Sequence, residues 1–107
     1  MTEVEFSMDP KWVPLMELGD KRATTRTKRK CNVADTFTIN GQRYVITRIV
    51  RKPLWSAANL YYQTEGFRTE EEYKDAIRTY YPDIQEGDDV WVHFFVKVDP
   101  IGEGVSQ

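Results

Sequence analysis

A segment near the N-terminus combines a lysine, two threonines and an arginine at short spacing. Residues 19–26 read Gly-Asp-Lys-Arg-Ala-Thr-Thr-Arg. A threonine hydroxyl is a poor nucleophile until a base removes its proton, and a lysine can be that base if burial or neighbouring cations lower its pKa. Arg22 and Arg26 are cationic neighbours of Lys21 in sequence and favour such a lowering. The segment is therefore a candidate for nucleophilic or anion-binding chemistry.

Charged residues are unevenly distributed along a chain whose formal net charge is −2. Residues 21–52 contain ten basic residues and one acidic residue, whereas residues 65–107 contain four basic and eleven acidic residues. An acidic total excludes a generally polycationic nucleic-acid binder but leaves room for a local anion-binding face. We therefore expect a cationic site on an acidic scaffold, suited to a small ligand more than to a long polyanion.

Length and composition predict one small domain. The 107 residues suffice for a single core, which we place at about 14–98, with a flexible tail over 101–107. We expect no membrane partner and no signal peptide, because the longest apolar run is far short of the roughly 20 residues of a membrane helix. Cys31 is the only cysteine and His93 the only histidine, so we expect no disulfide framework, no metal site and a reducing, cytoplasmic setting. We also expect no cofactor and a monomer.

The N-terminal third predicts one strand and two short helical turns. Residues 3–8 alternate polar with apolar side chains, which indicates a strand. Asp9-Pro10 is typical of a helix start, and Pro14 begins a second turn that ends at Gly19. The threonines of residues 20–32 favour extended backbone.

A hairpin is the clearest local signal in the middle of the chain. Asn40-Gly41 tolerates positive φ at both positions and joins a strand over 35–39 to one over 43–51. Strict alternation in the second strand places Tyr44, Ile46 and Arg48 on one face.

The C-terminal half predicts helices followed by a strand. Residues 54–62 form a helix or compact loop. Thr69 caps a helix with Glu72 at its third position, and Pro82 ends that helix near Tyr81. Residues 88–98 form a long strand. The resulting order is β, short α, β, β-hairpin, α, α, β, which indicates an α+β fold: a small mixed β-barrel with helices covering one end.

Three motifs, taken in this order, resemble the ASCH domain, a PUA-like barrel. They are the Gly-x-Lys-x-x-Thr-x-Arg pattern of residues 19–26, Val-Ala-Asp-Thr-Phe at 33–37, and Glu-Gly-Phe at 65–67 followed by the capped helix and the last strand. The resemblance covers about residues 14–98. Two positions depart from the family pattern: Ala34 stands where a glycine usually precedes the aspartate, and Arg22 replaces a small polar residue.

The resemblance implies a function. ASCH domains are similar to PUA domains proposed to bind RNA, and some small members look like amidohydrolases that remove the acetyl group of N4-acetylcytidine with a lysine, a threonine and a glutamate. By motif these are Lys21, Thr24 and Glu65 here. Glu65 would protonate the leaving nitrogen or orient the lysine, and Arg26 would bind a carbonyl or phosphate.

Ligand contacts are expected from basic and aromatic residues around the motif: Gly19, Arg26, Lys28, Arg29, Lys30, Arg48, Trp12 and Trp55. The plainer interpretation is that the cations form a solvated face and the aromatics belong to the core. His93 is expected to be a packed or hydrogen-bonded sheet residue, and Cys31 an inert thiol.

Three functions stay open at the level of sequence. The first is a pocket for a nucleoside or nucleotide, with or without hydrolysis of an N-acylated pyrimidine. The second is a non-catalytic RNA-binding module, and the third is a ribonuclease. The acidic total favours the pocket, because binding to long RNA depends on many phosphate contacts.

Overall fold

The computed structural model describes residues 2–98. The predicted tail at 101–107 lies outside the described residues. The elements are a 3₁₀ turn (Pro10–Trp12), three helices α1 (Val13–Leu18), α2 (Leu54–Tyr61) and α3 (Glu70–Tyr80), and four strands β1 (Ala23–Arg26), β2 (Thr36–Ile39), β3 (Gln42–Pro53) and β4 (Asp89–Lys97). The division of the whole chain into a single domain stays a prediction.

The four strands form one curled antiparallel sheet in the order β1-β4-β3-β2, a half-barrel covered by the helices. The α+β class is therefore confirmed. The predicted strand over residues 3–8 is wrong: this segment makes only an isolated parallel bridge between Glu3 and Thr36. Its apolar side chain Phe6 instead packs into the core beside Phe37, so hydrophobic burial explains the alternation.

Local signals explain where most elements begin and end. The Asp9 side chain accepts the Lys11 amide at 3.0 Å and caps the 3₁₀ turn, while Gly19 ends α1 with a φ of 83°. Asn40 and Gly41 both have positive φ and close the hairpin between β2 and β3. Each of these features was predicted from residue type alone.

A bulge in β3 changes which side chains share a face. Ile46 pairs with Phe95, but two residues later Arg48 pairs with Phe94, so Thr47 is an extra residue in the ladder. Ile46 is consequently buried in the core while Arg48 faces the opposite side of the sheet. The prediction that Tyr44, Ile46 and Arg48 share one face is wrong beyond Ile46.

Apolar residues cover both faces of the sheet in two clusters. On one face, Val90 and Val92 of β4 pack against α2 and against Tyr73 and Ile77 of α3. On the other, Phe95 packs with Phe37, Tyr44 and Met16, among others. The helix α3 is capped by Thr69, whose hydroxyl accepts the Glu72 amide at 3.1 Å. These two layers hold β1 between α3 and the N-terminal segment, which is where the candidate site lies.

Candidate functional site

A cleft of about 690 Å³ opens between the N-terminal segment, the start of β1 and the C-terminal part of α3. Such a volume lies within the range of small-molecule sites in proteins. Lys21, Thr24, Thr25, Arg26 and Glu65 all line it, and its remaining walls include Glu5, Phe6, Ser7, Met8, Asp9, Pro10, Trp12, Lys30, Phe67, Ala76, Ile77, Tyr80 and Tyr81. The three residues of the predicted catalytic set thus border one cavity.

Lys21 is buried, with 3% of its surface exposed. Its ammonium donates to the backbone carbonyl of Glu65 at 3.2 Å and lies 3.7 Å from the carboxylate Oε1 of the same residue. The face of the Trp12 ring lies below it, with the centroid 4.6 Å from Nζ. The Phe67 ring centroid is 6.0 Å from the same nitrogen. The lysine is therefore held by one carboxylate, one carbonyl and two aromatic rings.

Burial is the main cause of an unusual ionisation of this pair. Removal from water lowers the pKa of Lys21 to about 8, against the opposing attraction of Glu65 and with a smaller contribution from Arg26. Burial also raises the pKa of Glu65, although Lys21 and a hydrogen bond from Thr25 oppose that rise. A substantial fraction of Lys21 is consequently neutral near pH 8, as a base requires.

The two adjacent threonines of β1 both border the cleft, but their side chains point in different directions and have different hydrogen-bond partners. Thr24 Oγ1 accepts a hydrogen bond from Arg26 Nη1 at 2.5 Å. Thr25 Oγ1 donates to Glu65 Oε2 and is 2.5 Å from the Tyr73 hydroxyl. The contact with the Glu65 carboxylate is therefore made by Thr25, whereas sequence reasoning named only Thr24.

The Arg26 side chain is largely occupied by its own protein. Besides Thr24, its guanidinium donates to the Thr25 carbonyl at 2.9 Å and to the Ser7 carbonyl at 2.5 Å, and its carbon Cζ lies 4.9 Å from the Phe6 ring centroid. Two of its five N–H groups are left for a ligand. Arg26 thus ties the N-terminal segment to β1 and orients Thr24.

The other predicted ligand residues are spread over the surface. Trp12 and Lys30 line the cleft, and Gly19, Lys28, Arg29, Arg48 and Trp55 lie outside it. Trp55 is 55% exposed on α2, and the guanidinium of Arg48 lies over Phe94 at 5.3 Å. Gly19 has the backbone role of ending α1. The structure therefore brings Lys21, Thr24 and Arg26 of the motif to one cleft and places Lys28 and Arg29 outside it.

Buried His93 lies beside the cleft without lining it. Its Nε2 accepts the Lys30 amide at 3.1 Å, and its ring meets Phe6 edge-on. Burial lowers its pKa to about 4, so the imidazole is neutral at neutral pH. The prediction of a hydrogen-bonded sheet residue is confirmed.

Cys31 is buried, and burial raises its thiol pKa. This agrees with the expected unreactive thiol.

Metal and membrane sites find no support in residues 2–98. No three histidine, cysteine, aspartate or glutamate side chains in this part of the chain gather as metal ligands do. None of the described helices has the length and apolar character needed to cross a membrane.

The fold and the site together define a small half-barrel domain with a cleft lined by both charged and apolar side chains. No protein-family model and no curated protein matches the sequence. Among solved structures, the chain is similar to the hypothetical protein PH0355, with a TM-score of 0.73 and 15% identity over 92% of this chain and 100% of that one.

The chain is also similar to solved structures of ASCH domains. That of Lactobacillus crispatus has a TM-score of 0.68 and 13% identity, covering 90% of this chain and 78% of its own. That of Zymomonas mobilis has a TM-score of 0.65 and 13% identity, covering 99% and 80%. The chain therefore has the ASCH-domain fold, as its three motifs predicted.

Proposed function

We propose that the cleft binds a nucleoside-sized ligand and hydrolyses an N-acylated pyrimidine nucleoside of the N4-acetylcytidine kind. The observation that supports this proposal most directly is the buried Lys21–Glu65 pair on the cleft wall, with a lysine whose pKa is near 8. A lysine that is partly neutral and a threonine hydroxyl that borders the same cleft are the two groups needed to activate a weak oxygen nucleophile.

In the proposed reaction, neutral Lys21 removes the hydroxyl proton of Thr24, and the threonine oxygen attacks the amide carbonyl. The C–N bond then breaks, and the leaving nitrogen receives a proton from the Lys21–Glu65 pair. Water hydrolyses the resulting acyl-threonine and releases the carboxylic acid. Thr24 suits the nucleophile better than Thr25, because Thr25 already donates its proton to Glu65.

Arg26 prepares Thr24 for this step. By donating to Thr24 Oγ1 it occupies a lone pair of the oxygen, so the hydroxyl proton points away from the arginine. A positive charge beside the oxygen also stabilises the alkoxide that develops when the proton leaves. Trp12 and Phe67, whose rings meet edge-on at 4.9 Å between centroids, form an aromatic part of the cleft wall against which a pyrimidine can pack.

The test is incubation of the purified protein with N4-acetylcytidine and measurement of released cytidine by chromatography. We expect release that falls at least about 100-fold in Lys21→Met and in Thr24→Val. The matched control is Lys74→Ala, which removes a lysine whose partners, Glu71 and Glu86, lie on the surface. Absence of release by the wild-type protein at high concentration would refute the hydrolytic function.

A second candidate function is RNA binding, and one observation favours it. Arg29 and Arg51 both place their guanidinium carbons near the Trp91 ring, 5.9 Å and 5.5 Å from its centroid. Trp91 pairs across the sheet with Arg26 on one side and Arg51 on the other. This row of cations around the half-buried Trp91 ring begins at the cleft wall and offers phosphate contacts to a single strand.

A further inference from the structure

Two hydroxyl groups outside the predicted catalytic set contact Glu65 directly or in series. Thr25 Oγ1 donates to Glu65 Oε2, and the Tyr73 hydroxyl lies 2.5 Å from the same threonine oxygen. A threonine hydroxyl has one proton. Since that proton points to Glu65, the Tyr73 hydroxyl is the donor to Thr25. The chain of donation therefore runs from Tyr73 through Thr25 to the carboxylate.

Its members come from distant parts of the sequence. Thr25 lies on β1, Tyr73 on α3 and Glu65 in the connection between α2 and α3, and all three are buried. Hydrogen bonds in series polarise one another, and in a dry interior each is stronger than in water. The arrangement thus favours the negative charge on Glu65 and fixes the direction of its carboxylate. Oε2 faces the threonine, which leaves Oε1 for Lys21 at 3.7 Å.

We propose that Thr25 and Tyr73 are positioning residues that decide which member of the Lys21–Glu65 pair holds the shared proton. The inference rests on the proposed function for its catalytic meaning, but its physical content is independent of any substrate. Lys21 and Arg26 are the charged groups that act on Glu65, and Glu65 and Arg26 are those that act on Lys21. Arg26 keeps its charge throughout the accessible pH range. The hydrogen bonding of Thr25 and Tyr73 to Glu65 is therefore the feature that a substitution can change.

Removal of one of these hydroxyl donors shifts the protonation of the Lys21–Glu65 pair in a definite direction. Without the hydroxyl chain, the Glu65 carboxylate is less stable and takes up a proton more readily. Lys21 then loses the negative neighbour that helps it to keep its own proton. The titration midpoint of Lys21 therefore falls in Thr25→Val and in Tyr73→Phe, and Thr25→Ser, which keeps the hydroxyl, restores it.

The experiment is a pH titration of protein labelled with ¹³C-lysine, in which the side-chain signal of Lys21 is identified by its loss in Lys21→Met. We expect the midpoint to fall by about one pH unit in Thr25→Val and Tyr73→Phe and to stay at the wild-type value in Thr25→Ser. Tyr44→Phe is the matched control, because Tyr44 is equally buried and its hydroxyl has no hydrogen-bond partner among the described residues.

A midpoint that is unchanged or raised in the folded variants overturns the proposal. If Thr25→Val does not fold, Tyr73→Phe alone decides, because it removes one oxygen and keeps the packed ring. Hydrolysis of N4-acetylcytidine is measured on the same samples. If the Lys21 midpoint falls in the variants but the wild type shows no hydrolysis, the proposed function is refuted and the positioning role of Thr25 and Tyr73 stands. If the wild type hydrolyses N4-acetylcytidine but the midpoint does not move, the positioning role is refuted and the proposed function stands.

Discussion

Lys21 and Glu65 are 44 residues apart in sequence, and the lysine ammonium donates to the main-chain carbonyl of the glutamate at 3.2 Å. The bond to the backbone holds the amine even when the carboxylate is protonated. Lys21 consequently stays at the cleft wall in either charge state. Under the proposed function, an amine that keeps its place while it gains and loses a proton suits repeated proton transfer.

The first prediction concerns the pH dependence of stability. Burial lowers the folded-state pKa of Lys21 from 10.5 to about 8, so between these values the unfolded chain binds a proton that the folded protein does not. Stability contributed by this group therefore rises as pH rises. We expect the free energy of unfolding of the wild type, relative to Lys21→Met, to increase by about 2 kcal/mol from pH 8 to pH 10. Urea denaturation at several pH values measures it, and a flat difference contradicts the lowered pKa.

Gly66 provides a second prediction. Its φ is +92°, and a Cβ added there would lie 3.3 Å from Leu15 Cδ1 and 3.5 Å from a Trp12 ring carbon. Gly66→Ala is expected to destabilise the fold by about 1–3 kcal/mol through backbone strain and crowding. Gly87→Ala is the control, because no atom lies within 4 Å of its added Cβ. Equal midpoints of thermal unfolding for the two variants would show that the space beside Trp12 is not limiting.

A third prediction follows from a residue in an unfavourable conformation. Ala34 has a φ of 78°, and its amide donates to the Ile46 carbonyl at 2.8 Å, so the backbone is fixed there. Ala34→Gly removes the strain of an alanine in the left-handed conformation, but glycine also gives the unfolded chain more conformational entropy. We expect a net stabilisation of about 0.5–1 kcal/mol. Asn40→Gly should gain less, since asparagine tolerates positive φ. Chemical denaturation measures the free energy of unfolding of both variants and of the wild type, and a loss of stability in Ala34→Gly would contradict the prediction.

The same position explains a departure from the family pattern. A glycine at residue 34 suits the positive φ that the turn before β2 requires, and alanine keeps the turn at an energetic cost. The family pattern therefore points to a position that needs a positive φ, which neither composition nor the spacing of apolar residues indicates.

A fourth prediction separates RNA binding from the cleft. The double variant Arg29→Ala/Arg51→Ala removes both guanidinium groups beside Trp91. If each contacts one phosphate, the slope of log affinity for single-stranded RNA against log salt falls by about 1.4. Fluorescence anisotropy with a labelled oligonucleotide at several salt concentrations measures the slope. Equal slopes for variant and wild type would remove this row from the RNA-binding interpretation.

Sequence reasoning succeeded where the determining interactions are local. The Thr69 cap and the Asn40-Gly41 turn depend on neighbours within a few residues, and both were predicted. It failed at β3, because a bulge at Thr47 leaves no mark in the alternation of apolar residues. It also mistook residues 3–8 for a strand, since a segment with buried Phe6 alternates in the same way.

The candidate site was predicted in part. The resemblance selected Lys21, Thr24 and Glu65, which the structure places along one cleft. Thr25 and Tyr73 were missed as hydrogen-bonded neighbours of Glu65, because the contact between them joins a strand to a helix 48 residues away. Tyr73, Ala76, Ile77 and Tyr80 follow one another at helical spacing, which indicates that Tyr73 lies on the buried face of α3. Nothing in that period shows where its hydroxyl points.

The lysine above the Trp12 ring also provides an optical signal. A protonated amine 4.6 Å from the ring centroid is attracted to it, and that attraction ends when the proton leaves. The indole emission of Trp12 should therefore change as Lys21 titrates. The amine of Lys11 also lies 5.3 Å from this ring centroid. In a protein in which Lys11 is replaced by methionine and the other two tryptophans, Trp55 and Trp91, by phenylalanine, a fluorimeter would follow the charge of a single buried amine in real time, including during ligand binding.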